Sequence, residues 1–200
     1  YLYLLFSLGN LILFGEKLFI NIMEWYYFLV FIKLLKSFRK GGLMKFVKLD
    51  EISHLRQGKT LVTSNGTFDV LHVAHLRILQ EAKNKGDILL VLVNSDASVK
   101  INKDPFRPII PQGERVEMLA GLACVDYVMV FDDKEVLTLL EKIKPDVHVK
   151  GGTFDPERIE KEKNLVESLG GKYICLPEHV GYSTTNIIQK IRNLGFQNDA

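Results

Sequence analysis

From residue 44 onward, apolar positions fall into two alternating patterns. Residues 60–64, 88–93, 127–131, 146–150 and 173–176 form short β-rich runs. Between and after them, residues 73–85, 112–122, 134–143, 156–169 and 184–194 read as helices; in the first, Leu76, Leu79 and Ala82 recur at helical spacing. Gly86 closes that helix, and Gly170 with Gly171 closes the one at 156–169. The run at 88–93 is continuously apolar, as a strand covered on both faces of a parallel sheet should be. A short helix at 50–55 can be capped by Asp50 and ended by Gly58. Pro105, Pro108 and Pro111 mark a loop. The alternation predicts an α/β fold built on a doubly wound five-stranded parallel sheet. Such sheets bind ligands beyond the carboxyl ends of their strands, at the switch point. The loops after Ser64, Val93, Phe131, Lys150 and Leu176 should therefore face one site.

Residues 1–43 fit neither pattern. Residues 1–15 are almost wholly apolar; Glu16, Lys17 and Glu24 then break the apolar run, which resumes at residues 25–32. The uninterrupted runs fall short of the roughly 18 to 20 residues that span a bilayer. Arg39 and Lys40 add a positive flank, as a signal anchor would have. The chain starts with Tyr1 rather than Met, and its composition turns globular at Met44. The preferred reading is an apolar extension at 1–43, of gene-start origin, followed by a domain at 44–200. A membrane tether and an extra packed helix are the alternatives. On the preferred reading the protein is cytoplasmic and a chain starting at Met44 keeps its activity.

Composition changes this picture little. The 200 residues suit one domain plus an extension, and the net charge of +2 is spread along the chain rather than gathered in a basic field. Nucleic acid is therefore not an expected partner. Cys124 and Cys175 form no CxxC pair and read as free thiols in a reducing compartment.

The candidate chemistry lies in the first strand–loop–helix, Thr63-Ser64-Asn65-Gly66-Thr67-Phe68-Asp69-Val70-Leu71-His72-Val73-Ala74-His75. Gly66 lets backbone approach a ligand closely. The helix after this loop aims its unsatisfied N–H groups and positive dipole end back at the loop, which suits phosphate. His72 and His75 are three apart and can share the mouth. On spacing alone, phosphate chemistry competes with a capping histidine and with an i, i+3 metal pair.

This loop resembles the signature of the HxGH nucleotidyltransferase superfamily, a T/N-G-x-F-D loop followed by His-x-Gly-His. Within it, the chain is most similar to bacterial heptose 1-phosphate adenylyltransferases, which occur alone or as the C-terminal domain of a bifunctional kinase–adenylyltransferase. The likeness covers roughly residues 59–192. It includes Asn94-Ser95-Asp96-Ala97-Ser98-Val99, Arg107-Pro108-Ile109, Glu114-Arg115 and Leu122-Ala123-Cys124-Val125-Asp126. It continues through Pro145-Asp146-Val147, Val149-Lys150-Gly151-Gly152 and Gly181-Tyr182-Ser183-Thr184-Thr185. The implied fold is the Rossmann-like HUP type.

The resemblance implies a role for each matching position. Asn65, Gly66, Thr67 and Phe68 should wrap the nucleotide phosphates with backbone amides. His72 and His75 should stabilise charge on the α- and β-phosphates. Lys103 should reach the triphosphate or the incoming phosphate, and Arg107, on the same loop, the substrate phosphate. Arg115 should contact phosphate, while Lys150, Gly151 and Gly152 border base and ribose. Ser183, Thr184 and Thr185 should open the last helix onto the leaving phosphates. Plainer readings stand beside these. Lys103 and Arg107 also read as loop charges, Arg115 as a surface ion-pair partner, Gly151-Gly152 as a turn, and residues 183–185 as a helix cap. Asp69 reads as ordering the loop rather than binding metal. His54, His148 and His179 read as structural.

Two positions depart from the family. Ala74 replaces the signature glycine, where a methyl could crowd the phosphate. Thr153 stands where an aspartate usually follows the two glycines, which bears on base or ribose recognition. The implied reaction transfers AMP from ATP to a sugar 1-phosphate, with magnesium carried by the triphosphate and no metal held by protein carboxylates. The proline-marked segment 101–111 is expected to act as a lid, and the enzyme to form a homodimer. The rivals are a cytidylyltransferase acting on glycerol 3-phosphate or another polyol phosphate, and a nucleotide-binding protein without catalysis.

Overall fold

In a computed structural model, the protein is described over residues 45–102, 105–152, 155–178 and 181–195. Residues 1–43, Lys103 and Thr153 lie outside the described residues. The strands are β1 (Leu61–Gly66), β2 (Ile88–Asn94), β3 (Tyr127–Phe131), β4 (Val147–Gly151) and β5 (Lys172–Leu176). The helices are α1 (Ile52–Arg56), α2 (Val73–Lys83), α3 (Asp96–Asn102), α4 (Gln112–Gly121), α5 (Leu137–Ile143), α6 (Pro156–Ser168) and α7 (Thr184–Gly195).

The sheet runs β3-β2-β1-β4-β5, and every pairing is parallel. This is the doubly wound five-stranded sheet that the alternating pattern predicts. Before β4 the chain extends the sheet outward from β1 through β2 to β3; β4 then returns to the other side of β1. The switch point lies between β1 and β4, where the loops that leave the two strands diverge.

Each face of the sheet has its own apolar layer. Val62, Val91 and Val149 pack with Ile78, Leu79 and Leu119 of α2 and α4. Leu61, Leu90, Leu92 and Met129 pack with Leu139, Leu140 and Val166 of α5 and α6. Alternation along β1 sends Thr63 and Asn65 to the same face as Leu61. Aspartates complete two strand starts. Asp146 accepts the Leu61 amide at 2.7 Å and pairs with Arg56; Asp126 accepts the Leu89 amide at 2.7 Å and pairs with Lys83. Ahead of β1, Phe46 bridges Val128 in parallel, so the chain also borders β3.

Two differences from the predicted elements matter for the site. β1 runs on to Gly66, past its predicted end at Ser64. Residues 96–102 form α3, where the sequence pattern predicts no element. Its polar first turn hides the helix from hydrophobic periodicity; Ser95 supplies the signal, its hydroxyl accepting the Ser98 amide at 3.1 Å.

Candidate active site

The chain leaves β1 through a loop whose backbone is under strain. Phe68 and Val70 both adopt φ of 52°, a left-handed conformation that a β-branched residue such as Val70 rarely takes. Asp69, between them, is buried and acts as the fastener. Its carboxylate accepts the amides of Ile109 and Ile110, each at 2.9 Å, and Arg107 Nε at 2.6 Å. Burial raises its pKa, but the two amides and Arg107 outweigh burial and hold it below the usual carboxylate range. Asp69 therefore orders the loop, as the plainer reading of the sequence has it.

His72 ends the loop in an extended conformation and caps α2. Its ring stacks on that of His75, with centroids 3.9 Å apart and planes 23° from parallel. The i, i+3 spacing does bring both imidazoles to one mouth. His75 Nδ1 receives the His72 amide at 3.4 Å, so a neutral His75 ring carries its proton on Nε2. The Phe68 ring meets His75 edge-on at 5.4 Å. Burial lowers the pKa of His72, and its Nδ1 is buried without a hydrogen-bond partner among the described residues. A neutral imidazole with an unsatisfied nitrogen at a helix N-terminus is suited to meet a phosphate oxygen through an N–H.

The other predicted segments converge on this loop. Thr184 donates its hydroxyl to the Asp69 carbonyl at 2.7 Å, and Ser183 Oγ accepts the Asn186 amide at 3.1 Å as a helix cap. Thr185 comes next, in the first turn of α7. Arg107 pairs with Asp69 rather than projecting alone from its loop. Arg107, Ile109 and Ile110 are all fastened to Asp69, so the predicted lid is anchored at its far end.

Arg115 is 2% exposed. Its guanidinium donates to the carbonyls of Ile110 and Thr67 and, at 2.7 Å, to Asp96 Oδ1. It is thus no surface ion-pair partner, and its three bonds tie the phosphate loop to α3 and the proline segment. The sequence offers Arg115 as a phosphate ligand; the structure places it beneath the loop.

Lys150 is also buried, donating to Asn65 Oδ1 at 2.8 Å and Glu162 Oε1 at 2.9 Å. Gly151 is required by packing, because a Cβ there would lie 2.7 Å from Ile78 Cγ1. Gly152 has φ of 108°, which only glycine adopts readily. Ala74 is 4% exposed, so little of its methyl faces a ligand. Among the described residues, no cluster of His, Cys, Asp or Glu is placed to hold a metal ion. The Asp69 carboxylate is occupied by Arg107 and two amides, so it does not fit a direct magnesium ligand.

Glu162 was not legible as a site residue. It lies 1% exposed on α6, where Lys150 Nζ, Arg158 Nε at 3.3 Å and the Tyr173 hydroxyl at 3.4 Å converge on it. The available signal was a glutamate on the apolar stripe of α6, four residues before buried Val166.

The cytidylyltransferase-like family matches residues 64–190, a span that holds the phosphate loop, both histidines and residues 183–185. The chain belongs to this family. The bifunctional protein HldE of Syntrophotalea carbinolica is 48% identical over 136 residues, covering 68% of this chain and 28% of that protein. The HldE of Geotalea uraniireducens is 50% identical over 136 residues, with the same coverage. The HldE of Campylobacter fetus subsp. fetus is 41% identical over 167 residues, or 80% of this chain and 34% of that protein. The chain thus spans about a third or less of the length of these curated relatives. Among solved structures, the lipopolysaccharide core biosynthesis protein from Thermoplasma volcanium GSS1 is similar. It has a TM-score of 0.50 and 26% identity, over 63% of this chain and 100% of that one. A pantoate-beta-alanine ligase from Francisella tularensis, at TM-score 0.50 and 18% identity over 66% of each chain, shares the fold. The Rossmann-like architecture expected of the family is the one observed.

Proposed function

We propose that this chain is an adenylyltransferase that transfers AMP from ATP to a heptose 1-phosphate and releases pyrophosphate. The observation that carries this reading is the stacked pair His72 and His75 at the start of α2, facing the strained loop at 65–71. Family membership over 64–190 and the likeness to HldE proteins support it. So does the similarity to a lipopolysaccharide core biosynthesis protein.

In the proposed reaction, an ionised oxygen of the sugar phosphate attacks the α-phosphorus in line. The bond from that phosphorus to the oxygen bridging to the β-phosphorus breaks, and its electron pair leaves with pyrophosphate. The nucleophile already carries charge, so no strong general base is needed. The chain's contribution is positioning and stabilisation of the charge that develops on the phosphates. The loop amides and the α2 N-terminus receive the triphosphate, while His72 and His75 donate to its oxygens. Residues 183–185 border the leaving phosphates, and Lys103, with Arg107 if it leaves Asp69, meets the acceptor phosphate. Magnesium arriving on ATP would be held by nucleotide oxygens and water.

The proposed setting is the cytoplasm, with the enzyme as a homodimer whose mass sedimentation would report. Among the described residues, no helix is long and apolar enough to cross a membrane. The deciding assay offers the protein ATP or CTP with a panel of sugar and polyol phosphates and measures pyrophosphate. ATP with heptose 1-phosphate should turn over best. Preference for CTP with glycerol 3-phosphate would overturn the heptose assignment and keep the nucleotidyltransferase. Release from no pair would point to a binding protein.

A further inference from the structure

Asn65, Lys150 and Glu162 form a chain of buried polar groups beneath the phosphate loop. They are 5%, 2% and 1% exposed. Lys150 comes from β4 and reaches across to the last side chain of β1 before Gly66. Its ammonium donates to Asn65 Oδ1 at 2.8 Å and to Glu162 Oε1 at 2.9 Å. Lysine is a donor only. It therefore fixes which end of the Asn65 amide faces it, and the NH2 end must point the other way. That NH2 is buried and has no hydrogen-bond partner among the described residues. A buried donor left unpaired is unfavourable, and a buried ion pair is a weak source of stability, so packing alone explains neither group well. Asn65 stands at the carboxyl end of the central strand, beside the switch point.

We propose that the Asn65 side chain donates its NH2 to a phosphate oxygen of the bound nucleoside triphosphate, and that Lys150 and Glu162 are positioning residues that lock the amide in that orientation. This rests on the nucleotidyltransferase reading above. It differs from the role the resemblance implies for Asn65, which concerns its backbone, and from that implied for Lys150, which borders base and ribose.

The lock has a pH dependence. Among the described residues, the charged and titratable groups around Lys150 include Glu162 and Arg158 of α6, Tyr173 and Cys175 of β5, and His148 of β4. Burial pushes the Lys150 pKa down to about 8, with Glu162 opposing the fall. A neutral lysine can accept as well as donate, so the amide is free to flip once Lys150 loses its proton. Affinity for ATP should fall as pH rises through about 8 and recover on return.

Calorimetric titration with a nonhydrolysable ATP analogue and magnesium, beside steady-state pyrophosphate release, tests the proposal. Asn65→Ala should weaken analogue binding about ten- to a hundredfold, as loss of a hydrogen bond to a charged group does, with KM for the acceptor little changed. Asn65→Asp keeps the shape and the Lys150 contact but turns a carboxylate oxygen toward phosphate, so it should bind more weakly still. Lys150→Met with Glu162→Leu removes both buried charges of the pair together and leaves only Arg158, whose side chain is 27% exposed, without its carboxylate. It should retain the melting temperature, weaken the analogue several-fold, and abolish the affinity change near pH 8. Lys150→Arg, which is also donor-only and keeps its charge, should restore affinity above pH 8. Wild-type affinity in Asn65→Asp, or unchanged affinity and pH profile in the double variant, overturns the proposal while leaving pyrophosphate release intact. If the wild-type protein neither binds the analogue nor releases pyrophosphate, the functional reading fails first and this one with it.

Discussion

The hydroxyl of Thr184 meets the main-chain carbonyl of Asp69 at 2.7 Å, joining the first residue of α7 to the centre of the phosphate loop. The two lie 115 positions apart in the chain. The same Asp69 holds the proline segment through its carboxylate, so one residue ties three parts of the mouth together. Thr184→Val keeps the shape and removes the donor. A hydrogen bond of this kind is worth about 1 kcal/mol net, so kcat/KM for ATP should fall roughly five- to tenfold. Thr184→Ser should restore it. Equal kcat/KM in the valine and serine variants would show that the bond does not shape the site.

The stacked histidines lead to a sharper expectation. His72→Ala and His75→Ala should each lower kcat on the order of a hundredfold, the usual effect of losing one transition-state donor. Because His72 Nδ1 has no hydrogen-bond partner among the described residues, its removal should leave the circular dichroism spectrum and melting temperature nearly unchanged. Retention of near-normal turnover by both variants would make the pair a helix cap and no more.

Arg115 should behave in the opposite way. Its fork satisfies two carbonyls and Asp96 at once, from a position closed to solvent. Lysine keeps the charge but cannot reproduce that geometry. Arg115→Lys should therefore destabilise the fold by about 2–3 kcal/mol, the scale of unsatisfied buried polar groups. Denaturant midpoints should fall, while the residual folded protein keeps much of its affinity for ATP. Selective loss of ATP binding at unchanged stability would return Arg115 to the phosphates.

The sequence carried the strand–helix alternation because all seven residues of β2 are buried and the helices keep one apolar face. It also carried His72, His75 and the loop at 65–69, because phosphate binding at a helix start is a local device. What it hid is non-local. Arg115 reads as a surface charge until Thr67, 48 positions away, closes over it. Glu162 belongs to no motif, and its role appears only when Lys150 arrives from β4. Ala74 looks like a defect in the signature, yet it is turned into the fold. In each case periodicity reports which face of an element is buried, but not which partner another element brings to that face.

His148 allows a test of the buried polar layer that does not depend on activity. It is fully buried, and its Nδ1 lies 2.8 Å from Thr63 Oγ1. Burial, reinforced by the charge of Lys150, lowers its pKa to about 3, although Glu162 Oε2 lies 3.8 Å from Nε2. The unfolded chain binds a proton at this side chain below about pH 6.5, whereas the folded chain does so only near pH 3. Between those limits the unfolded state holds more protons, so stability falls as pH falls, and above about pH 6.5 the residue adds no slope. The slope from one such group approaches about 1.4 kcal/mol per pH unit. His148→Gln can keep the Thr63 hydrogen bond but does not titrate. Urea unfolding at intervals from about pH 6.5 down to about pH 4.5 should show the wild-type protein losing stability faster than this variant, by up to one proton's worth of slope. Asp69 titrates at lower pH and leaves this window clear. Parallel slopes for the two proteins would mean that His148 accepts its proton in the folded state, with Glu162 as the counter-ion that burial was expected to outweigh.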